Sequence, residues 1–426
     1  MRMEELYAIY LKHPSVQTDT RKLQAGDLFF ALRGPSFNGN AFAQMALDAG
    51  AAYAIIDDAS YSIEGKTILV EDALATLQQL ALHHRRQFDI PFIAITGSNG
   101  KTTTKELIHA VLSSTYTVYT TEGNLNNHIG VPLTLLKIRS DAQMAVIEMG
   151  ANHLREIASY CTIALPTHGL ITNCGKAHLE GFGGEEGVRK GKGELFDHLR
   201  KYGGSAFVMW DYDYLRAMSH DIPELFTYGS SEADVTGHVS AAGQYLDVVF
   251  TKGFHGDVHT QLVGDYNLPN VLAAVAAGIY FDVPEEKIRS SIADYMPTNS
   301  RSQLVQKGSN KIILDAYNAN PSSMKAAIEN FARAEGKNKI LALGGMAELG
   351  MNSIDEHRQI VEVIGKYPWQ DVLLVGGDFM KLDHPYRKFT SPAEAGQWLR
   401  QGPANNAYLL IKGSRSMQME KLLDYL

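Results

Sequence analysis

The sequence predicts an α/β protein of three domains built on mainly parallel sheets. Short apolar runs recur, each closing on glycine or a polar residue: "DLFFALRG" (27–34), "AAYAIIDD" (51–58), "PFIAITGS" (91–98), "AVIEMGAN" (145–152), "HGLITNCG" (168–175), "KIILDAYN" (311–318), "KILALGGM" (339–346), "DVLLVGGD" (371–378) and "AYLLIKGS" (407–414). Most alternate with helical patterns of ten or more residues, the mark of parallel strands covered by helices on both faces. A chain of 426 residues also divides into two to four domains at roughly 100–200 residues each.

The first two runs form a small N-terminal α/β unit. "HHRRQFDIPF" (83–92) breaks the pattern and sets a boundary near residue 88. In the middle unit, "YLDVVF" (245–250) and "DVHTQLV" (257–263) alternate in polarity and add strands. "YMPTNSRSQL" (295–304) places a proline and small polar residues before a new strand set, giving a boundary near 299. The expected domains are 1–88, 89–299 and 300–426, the last Rossmann-like.

A net charge of −8 disfavours bulk binding to nucleic acid or to a membrane surface. The two cysteines, Cys161 and Cys174, have no paired spacing, so a reducing compartment is expected. With no basic-then-apolar leader and no run of about 18 apolar residues, the expectation is a cytoplasmic protein without membrane insertion.

Ligands of parallel sheets bind beyond the carboxyl ends of the strands, so the polar residues closing these runs are the site candidates. "ITGSNGKTTTKE" (95–106) follows an apolar run and opens a helical pattern. The full P-loop template has four residues between its glycines; here Ser98 and Asn99 alone separate Gly97 from Gly100. The backbone N–H groups of such a loop converge on phosphate at a helix start. Lys101 would neutralise β/γ charge and the Thr102 hydroxyl would face Mg²⁺. Gly97, Ser98, Asn99, Gly100, Lys101, Thr102 and Thr103 are therefore the candidate nucleotide loop. Magnesium takes one or two carboxylates beside phosphates, and Glu148 ends a strand where a site belongs. Read alone, it is equally a solvated strand-end charge. His178 lies in the glycine-flanked loop "NCGKAHLEGFGG". Lys190 and Lys192 are two apart and cannot share a helix face, so one faces solvent and the other the crevice. The plain alternative for Lys192 is a salt bridge to Glu194.

Taken together, "TGSNGKTTTKE", "EGNLNNHIGVPLTLL" (122–136), "VIEMGAN", "KAHLEGFG", "KGKGELF" and "LDAYNANPSSMKAAI" (314–328) resemble the ATP-dependent Mur ligases. "TDTRKLQAGDLFFALRG" (18–34), "LGGMAELG" and "IKGSRSM" extend the likeness to both ends of the chain. The resemblance implies an N-terminal uridine-nucleotide domain, a central P-loop ATPase domain and a C-terminal amino-acid domain. It implies ATP as phosphoryl donor, two Mg²⁺ ions, and an acyl phosphate attacked by an amine. The dipeptide-adding branch is the nearest likeness, implying UDP-N-acetylmuramoyl-tripeptide and D-alanyl-D-alanine as substrates; a monomer is the default expectation. "YNANPSSM" stands where diaminopimelate- or lysine-adding relatives are expected to carry a D-N-P-R type motif. Folylpolyglutamate synthases lack a uridine domain, and residues 18–39 argue against them.

The resemblance also implies Thr102, Glu148, His178 and a CO₂-carbamylated Lys192 as metal ligands, with Lys101, His178 and Lys192 catalytic. It gives Asn270 as the adenine contact, Asp315 as the ribose contact and Arg301 as nucleotide-facing. On the residues alone, Asn270 is equally a helix N-cap, Arg301 an interface cation and Asp315 a strand-end carboxylate. Thr20, Ser36 and Phe37 fall on uridine-side positions, and Thr121, Asn126 and Asn127 near the muramoyl-peptide channel. Asn318, Asn320, Ser322, Ser414 and Arg415 are candidates for the dipeptide. All of these are equally ordinary turn residues. Two departures stand out: Ala316, where relatives often carry Ser, and Gly345, where many carry Asp.

Overall fold

A computed structural model describes residues 1–240, 243–298, 300–402 and 404–426. Residue 299, on which the second expected boundary falls, lies outside the described residues. Each of the nine apolar runs contains a strand, and the strands assemble into three main sheets.

The first sheet has four parallel strands in the order Val16–Gln17, Leu28–Phe30, Tyr53–Ile56 and Thr67–Leu69. Successive side chains of a strand point to opposite faces. Leu28, Phe30 and Ile55 accordingly enter the main buried cluster, while Phe29, Ala54 and Ile56 enter a separate small one. Two buried faces explain why these runs are apolar without alternation. The helix Ala73–Arg85 joins this unit to the next. Its Arg85 guanidinium donates to the carbonyls of Ala164 and Leu165 at 2.8 and 2.9 Å and lies over the Phe92 ring.

The second sheet has nine strands. From one edge they run Asp257–His259, Asp247–Lys252, Val235–Val239, Glu224–Gly229, Ser205–Met209, His168–Ile171, Phe92–Thr96, Met144–Glu148 and Val118–Thr120. Asp247–Lys252 pairs antiparallel with both of its neighbours, and the remaining pairings are parallel. Phe92–Thr96 sits between His168–Ile171 and Met144–Glu148. The chain turns one way from it to the Val118 edge and later crosses to the other side, so a crevice opens beyond its carboxyl end.

The third sheet has six strands, ordered Gln303–Lys307, Asn310–Asp315, Tyr408–Lys412, Lys339–Gly344, Asp371–Val375 and Arg387–Phe389, parallel except for the first pair. Alternate residues again feed two cores: Ile313, Leu341, Leu343, Leu374 and Leu410 on one face, Ile312, Ile340, Leu373, Leu409 and Ile411 on the other. Gly345 follows the fourth strand. A Cβ there would lie 2.7 Å from Gly377 Cα, so the two backbones touch where a side chain has no room.

Buried histidines set an acid limit on this fold. His168 packs against Phe207, Tyr280 and Phe281, and burial pulls its pKa from 6.5 to about 4. Burial also lowers those of His84, His109, His198 and His357. Between about pH 4 and 6.5 the folded state thus binds fewer protons than the unfolded chain. Stability is expected to be complete above pH 6.5 and to fall as pH drops through that window, by about 1.4 kcal/mol per pH unit for each proton of difference. Chemical denaturation at pH 7.5 and 5.0 measures this, and a midpoint unchanged between them would refute it.

Candidate functional site

The crevice has a volume of about 1070 Å³ and is walled by the second and third sheet units. Among the described residues, none before Ser98 lines it. Its floor is the loop Gly97–Gly100 at the start of the helix Lys101–Ser113. Both glycines have positive φ, 145° and 79°. A Cβ on Gly97 would fall 1.9 Å from Thr172 Oγ1, and one on Gly100 would fall 2.6 Å from Asn270 Oδ1. The helix has no side-chain cap, which leaves its first N–H groups for an anion.

Neighbouring segments clamp the loop. Ser98 N–H donates to Asn173 O at 2.9 Å, and Asn99 N–H donates to Asn173 Oδ1 at 3.0 Å. Thr172 Oγ1 donates to Asn99 O at 2.6 Å, and Ser98 Oγ donates to Gly175 O at 2.9 Å. Across the crevice, Asn320 Nδ2 donates to Asn99 Oδ1 at 2.7 Å, and Lys176 N–H donates to Ser322 Oγ at 3.0 Å. Asn320 also caps the helix Pro321–Arg333 through Ser323 N–H. The third unit therefore touches the loop directly.

Lys101 Nζ donates to Gly97 O at 2.7 Å and to Ser98 O at 3.3 Å. Burial pushes its pKa down, against the opposing pull of Glu148. Glu148 is 1% exposed. Its Oε1 accepts from Asn126 Nδ2 at 2.7 Å, while its Oε2 is buried without a hydrogen-bond partner. Thr102, Thr103, Asn126, Asn127, His178, Asn270, Arg301, Asp315, Asn318, Asn320 and Ser322 all line the crevice. His178, in the left-handed region at φ 52°, forms an ion pair with Glu348 of the third unit. That pairing holds the Glu348 carboxyl below its usual range.

Several plain alternatives are not what the chain builds. Asn270 is not a cap: Asn267 holds that place, and Asn270 bonds Asn267 Oδ1 and Thr104 Oγ1 at 2.9 and 3.0 Å. Asp315 is no solvated strand end. Its Oδ2 meets Lys412 Nζ at 2.5 Å, and its Oδ1 accepts from Ser302 N–H at 3.1 Å. Arg301 stacks on Tyr317 with 3.6 Å to the ring centroid. Lys192 makes no ion pair with Glu194, which instead accepts from the N–H groups of Arg155 and Ala158. Lys190 is exposed, as the helix geometry requires. Lys192 is 1% exposed and donates to Ala151 O at 2.9 Å, just behind the crevice wall. Burial, reinforced by the nearby Lys101 cation, lowers its pKa to about 7.

One channel-side expectation needs correction. Thr121 does not face a channel: it is fully buried, and its Oγ1 accepts from Glu148 N–H at 3.0 Å. Ser414 is 2% exposed and donates to Gly345 O at 2.7 Å, a bond that shapes the turn. Thr20 lies in the turn Thr20–Lys22, and Ser36 and Phe37 lie at an exposed hairpin of the first unit, away from the crevice, which does not bear on their uridine-side expectation. Among the described residues, no three His, Cys, Asp or Glu side chains converge as a metal cage. Residues the sequence reading passed over also matter. Tyr212 and Tyr214 stack at 9° on the crevice wall after Ser205–Met209. Lys176 Nζ reaches the buried Glu356 at 2.7 Å across the units. His357 is neutral by its bonds: its Nδ1–H donates to Ser353 O at 2.7 Å, and its Nε2 accepts from Met346 N–H at 3.0 Å. It thereby pins the loop carrying Glu348. The strand-end rule would have pointed to the Tyr212 position had its strand been read; Lys176 opens the segment "KAHLEGFG", and Glu356 and His357 follow "LGGMAELG" as an "EH" pair, both parts of the family likeness.

Comparisons with known proteins agree along the length of the chain. Models of the Mur ligase family catalytic domain, the Mur ligase middle domain and the Mur ligase glutamate ligase domain match residues 14–88, 95–278 and 300–415. The chain is 35% identical to the UDP-N-acetylmuramoyl-tripeptide–D-alanyl-D-alanine ligase of Bacillus subtilis, over 96% of this chain and 92% of that one. It superposes on a crystal structure of MurF from Acinetobacter baumannii with a TM-score of 0.87 and 31% identity, covering 96% and 92%. For the MurF ligase of Thermotoga maritima in complex with ADP, the values are 0.86 and 26%, covering 97% of both chains. The protein is a member of the Mur ligase family.

Proposed function

We propose that this protein joins D-alanyl-D-alanine to UDP-N-acetylmuramoyl-tripeptide at the expense of ATP, a step of peptidoglycan precursor synthesis. The observation that carries the reading is the contact of the third unit with the nucleotide side: Asn320 bonds the phosphate loop at Asn99, and Ser322 accepts from Lys176 N–H in the adjoining loop. It brings a nucleotide site and an acceptor side into one crevice. The proposed domains are 1–88 for the uridine nucleotide, 89–299 for ATP and 300–426 for the dipeptide. No helix among the described residues is long and apolar enough to cross a membrane. The two free thiols fit the cytoplasm.

The stem carboxylate attacks the γ-phosphate of ATP, releasing ADP and leaving an acyl phosphate. The dipeptide amine then attacks the acyl carbon, and phosphate departs from the tetrahedral intermediate. In the first step two anions must meet. Lys101 would swing from the loop carbonyls onto the transferring phosphoryl group, where a prepositioned cation helps most. The N–H groups of 98–102 hold the remaining phosphate oxygens. Asn270 would read the base, Asp315 the ribose, and Arg301 would face the nucleotide.

The residues fit Mg²⁺. Glu148 offers a buried, unpartnered oxygen, Thr102 lines the same crevice, and magnesium commonly takes phosphate oxygens beside such protein ligands. When bound, the ion would screen repulsion between carboxylate and phosphates. His178 and Lys192 would serve a second ion. Lys192 as an ammonium would repel a metal. A buried amine with a pKa near 7 is substantially neutral and open to CO₂, and its carbamate would supply the anionic oxygen.

The experiment is a phosphate-release assay with a panel of UDP-muramoyl peptides and dipeptides. Release should require both UDP-N-acetylmuramoyl-tripeptide and D-alanyl-D-alanine. Release with neither substrate would mark a simple ATPase. The Lys176–Glu356 pair is expected to hold the dipeptide domain over the ATP domain. Lys176→Glu and Glu356→Lys should each lower kcat/KM about tenfold, and the double swap should recover most of it. Additive losses would remove this role.

A further inference from the structure

One buried cation of the phosphate-loop helix takes no part in the proposed chemistry. Lys105 lies in the helix Lys101–Ser113, one turn beyond Lys101, and is 2% exposed. Among the described residues, the one carboxylate within reach of its ammonium is Glu106, at 3.9 Å. Glu106 is itself engaged, its Oε2 accepting from Tyr295 O–H at 2.5 Å. Lys105 Nζ donates instead to Thr121 O, at 2.7 Å. A buried ammonium held by a peptide carbonyl is a costly way to fill a core, so the use of Lys105 lies in the contact it makes.

Thr121 stands where the edge strand Val118–Thr120 ends and the loop to the helix Gly130–Leu135 begins. Asn124, Asn126, Asn127 and His128 of that loop line the crevice. Thr121 is fully buried and bonds in three directions. Its N–H donates to Val146 O at 3.1 Å, its Oγ1 accepts from Glu148 N–H at 3.0 Å, and its carbonyl accepts from Lys105. Further along the loop, Asn126 O accepts from Gly150 N–H at 2.8 Å, while Asn126 Nδ2 donates to Glu148 Oε1 at 2.7 Å. Glu148 is thus held at its backbone by Thr121 and at its carboxylate by Asn126. Both belong to the loop that Lys105 ties to the phosphate-loop helix. Thr102, three residues before Lys105, is on the same side of that helix. We propose that Lys105 is a positioning residue for the metal side: through Thr121 it fixes Glu148 relative to Thr102 and the phosphate loop, and so sets how tightly Mg²⁺ is held with the nucleotide. The inference rests on the reading of Glu148 as a metal ligand.

The test titrates the non-hydrolysable ATP analogue AMP-PNP in Mg²⁺ and again in EDTA. Wild type is compared with Lys105→Met, Lys105→Arg, Thr121→Val and Thr121→Ser. Loss of a group that orients a metal ligand weakens metal binding by roughly 10–100-fold. Lys105→Met and Thr121→Val should each weaken binding about tenfold or more in Mg²⁺ and less than about twofold in EDTA. In ligation, the Mg²⁺ concentration for half-maximal rate should rise by a similar factor, while kcat at saturating Mg²⁺ stays within about threefold of wild type. Thr121→Ser keeps the hydroxyl and should behave as wild type. Lys105→Arg keeps a donor and should fall between wild type and Lys105→Met, and it carries the comparison if Lys105→Met does not fold. The Lys105→Met, Thr121→Val double variant should be little worse than either single, because both interrupt one chain of bonds. Equal weakening with and without Mg²⁺ would make Lys105 a support of the loop alone and overturn the proposal. Wild-type Mg²⁺ dependence in a folded Lys105→Met or Lys105→Arg–Thr121→Val pair would do the same. A wild type indifferent to Mg²⁺ would instead refute Glu148 as a metal ligand, and Mg²⁺-dependent binding without ligation would refute the ligase reading alone.

Discussion

Lys101→Ala is expected to lower ligation by at least about 10²-fold while leaving the fold intact. Nζ of Lys101 bonds Gly97 O and Ser98 O, and Lys101 itself lines the crevice. Alanine is also the strongest helix former at a first-turn position. What disappears is the cation that meets charge growing on the transferring phosphoryl oxygens. One such prepositioned contact is worth roughly 3 kcal/mol or more. Single-turnover phosphate release together with a thermal melt separates the two effects. Unchanged turnover in a folded variant would remove the phosphate-loop assignment.

Lys192→Ala should be comparably inactive, and short carboxylic acids such as acetate should restore part of the activity. Lys192 is buried, meets one carbonyl and no carboxylate, and has an amine that burial makes easy to deprotonate. A structural lysine in that position would more naturally carry an acidic partner, because an unpaired buried charge is costly. As a carbamate it would present an anionic oxygen toward the metal side of the crevice, and the truncated side chain leaves space for a free acid to replace it. The carbamate carbon can be observed directly by NMR after equilibration with ¹³C-bicarbonate. A fully active Lys192→Ala enzyme without added acid, or no carbamate signal under turnover conditions, would sink the idea.

The sheets were legible because parallel strands buried on both faces write themselves as uninterrupted apolar runs. Each of the nine runs holds a strand, and the family likeness is borne out by relatives matched over nearly the full chain. Short strands escaped notice. Ser205–Met209 lacks a glycine close, and Val16–Gln17 is too short for any periodicity. The nucleotide loop was readable because its chemistry is local. Contacts set by register or by packing were not. Asp315 and Lys412 stand opposite one another on neighbouring strands 97 residues apart in sequence. The burial of Thr121 and Ser414 depends on backbone groups that close over them from elsewhere. A threonine or serine in a turn reads the same whether its hydroxyl meets a ligand or a peptide group.

The contact between Gly345 and Gly377 bears on which mutational routes are open to the chain. Any single substitution at 345 must place its first carbon 2.7 Å from Gly377 Cα, a separation that forces one strand end to move. Gly377 already has the smallest residue, so no second change at that position can make room. A side chain at 345 is therefore closed to this chain unless both turns shift together.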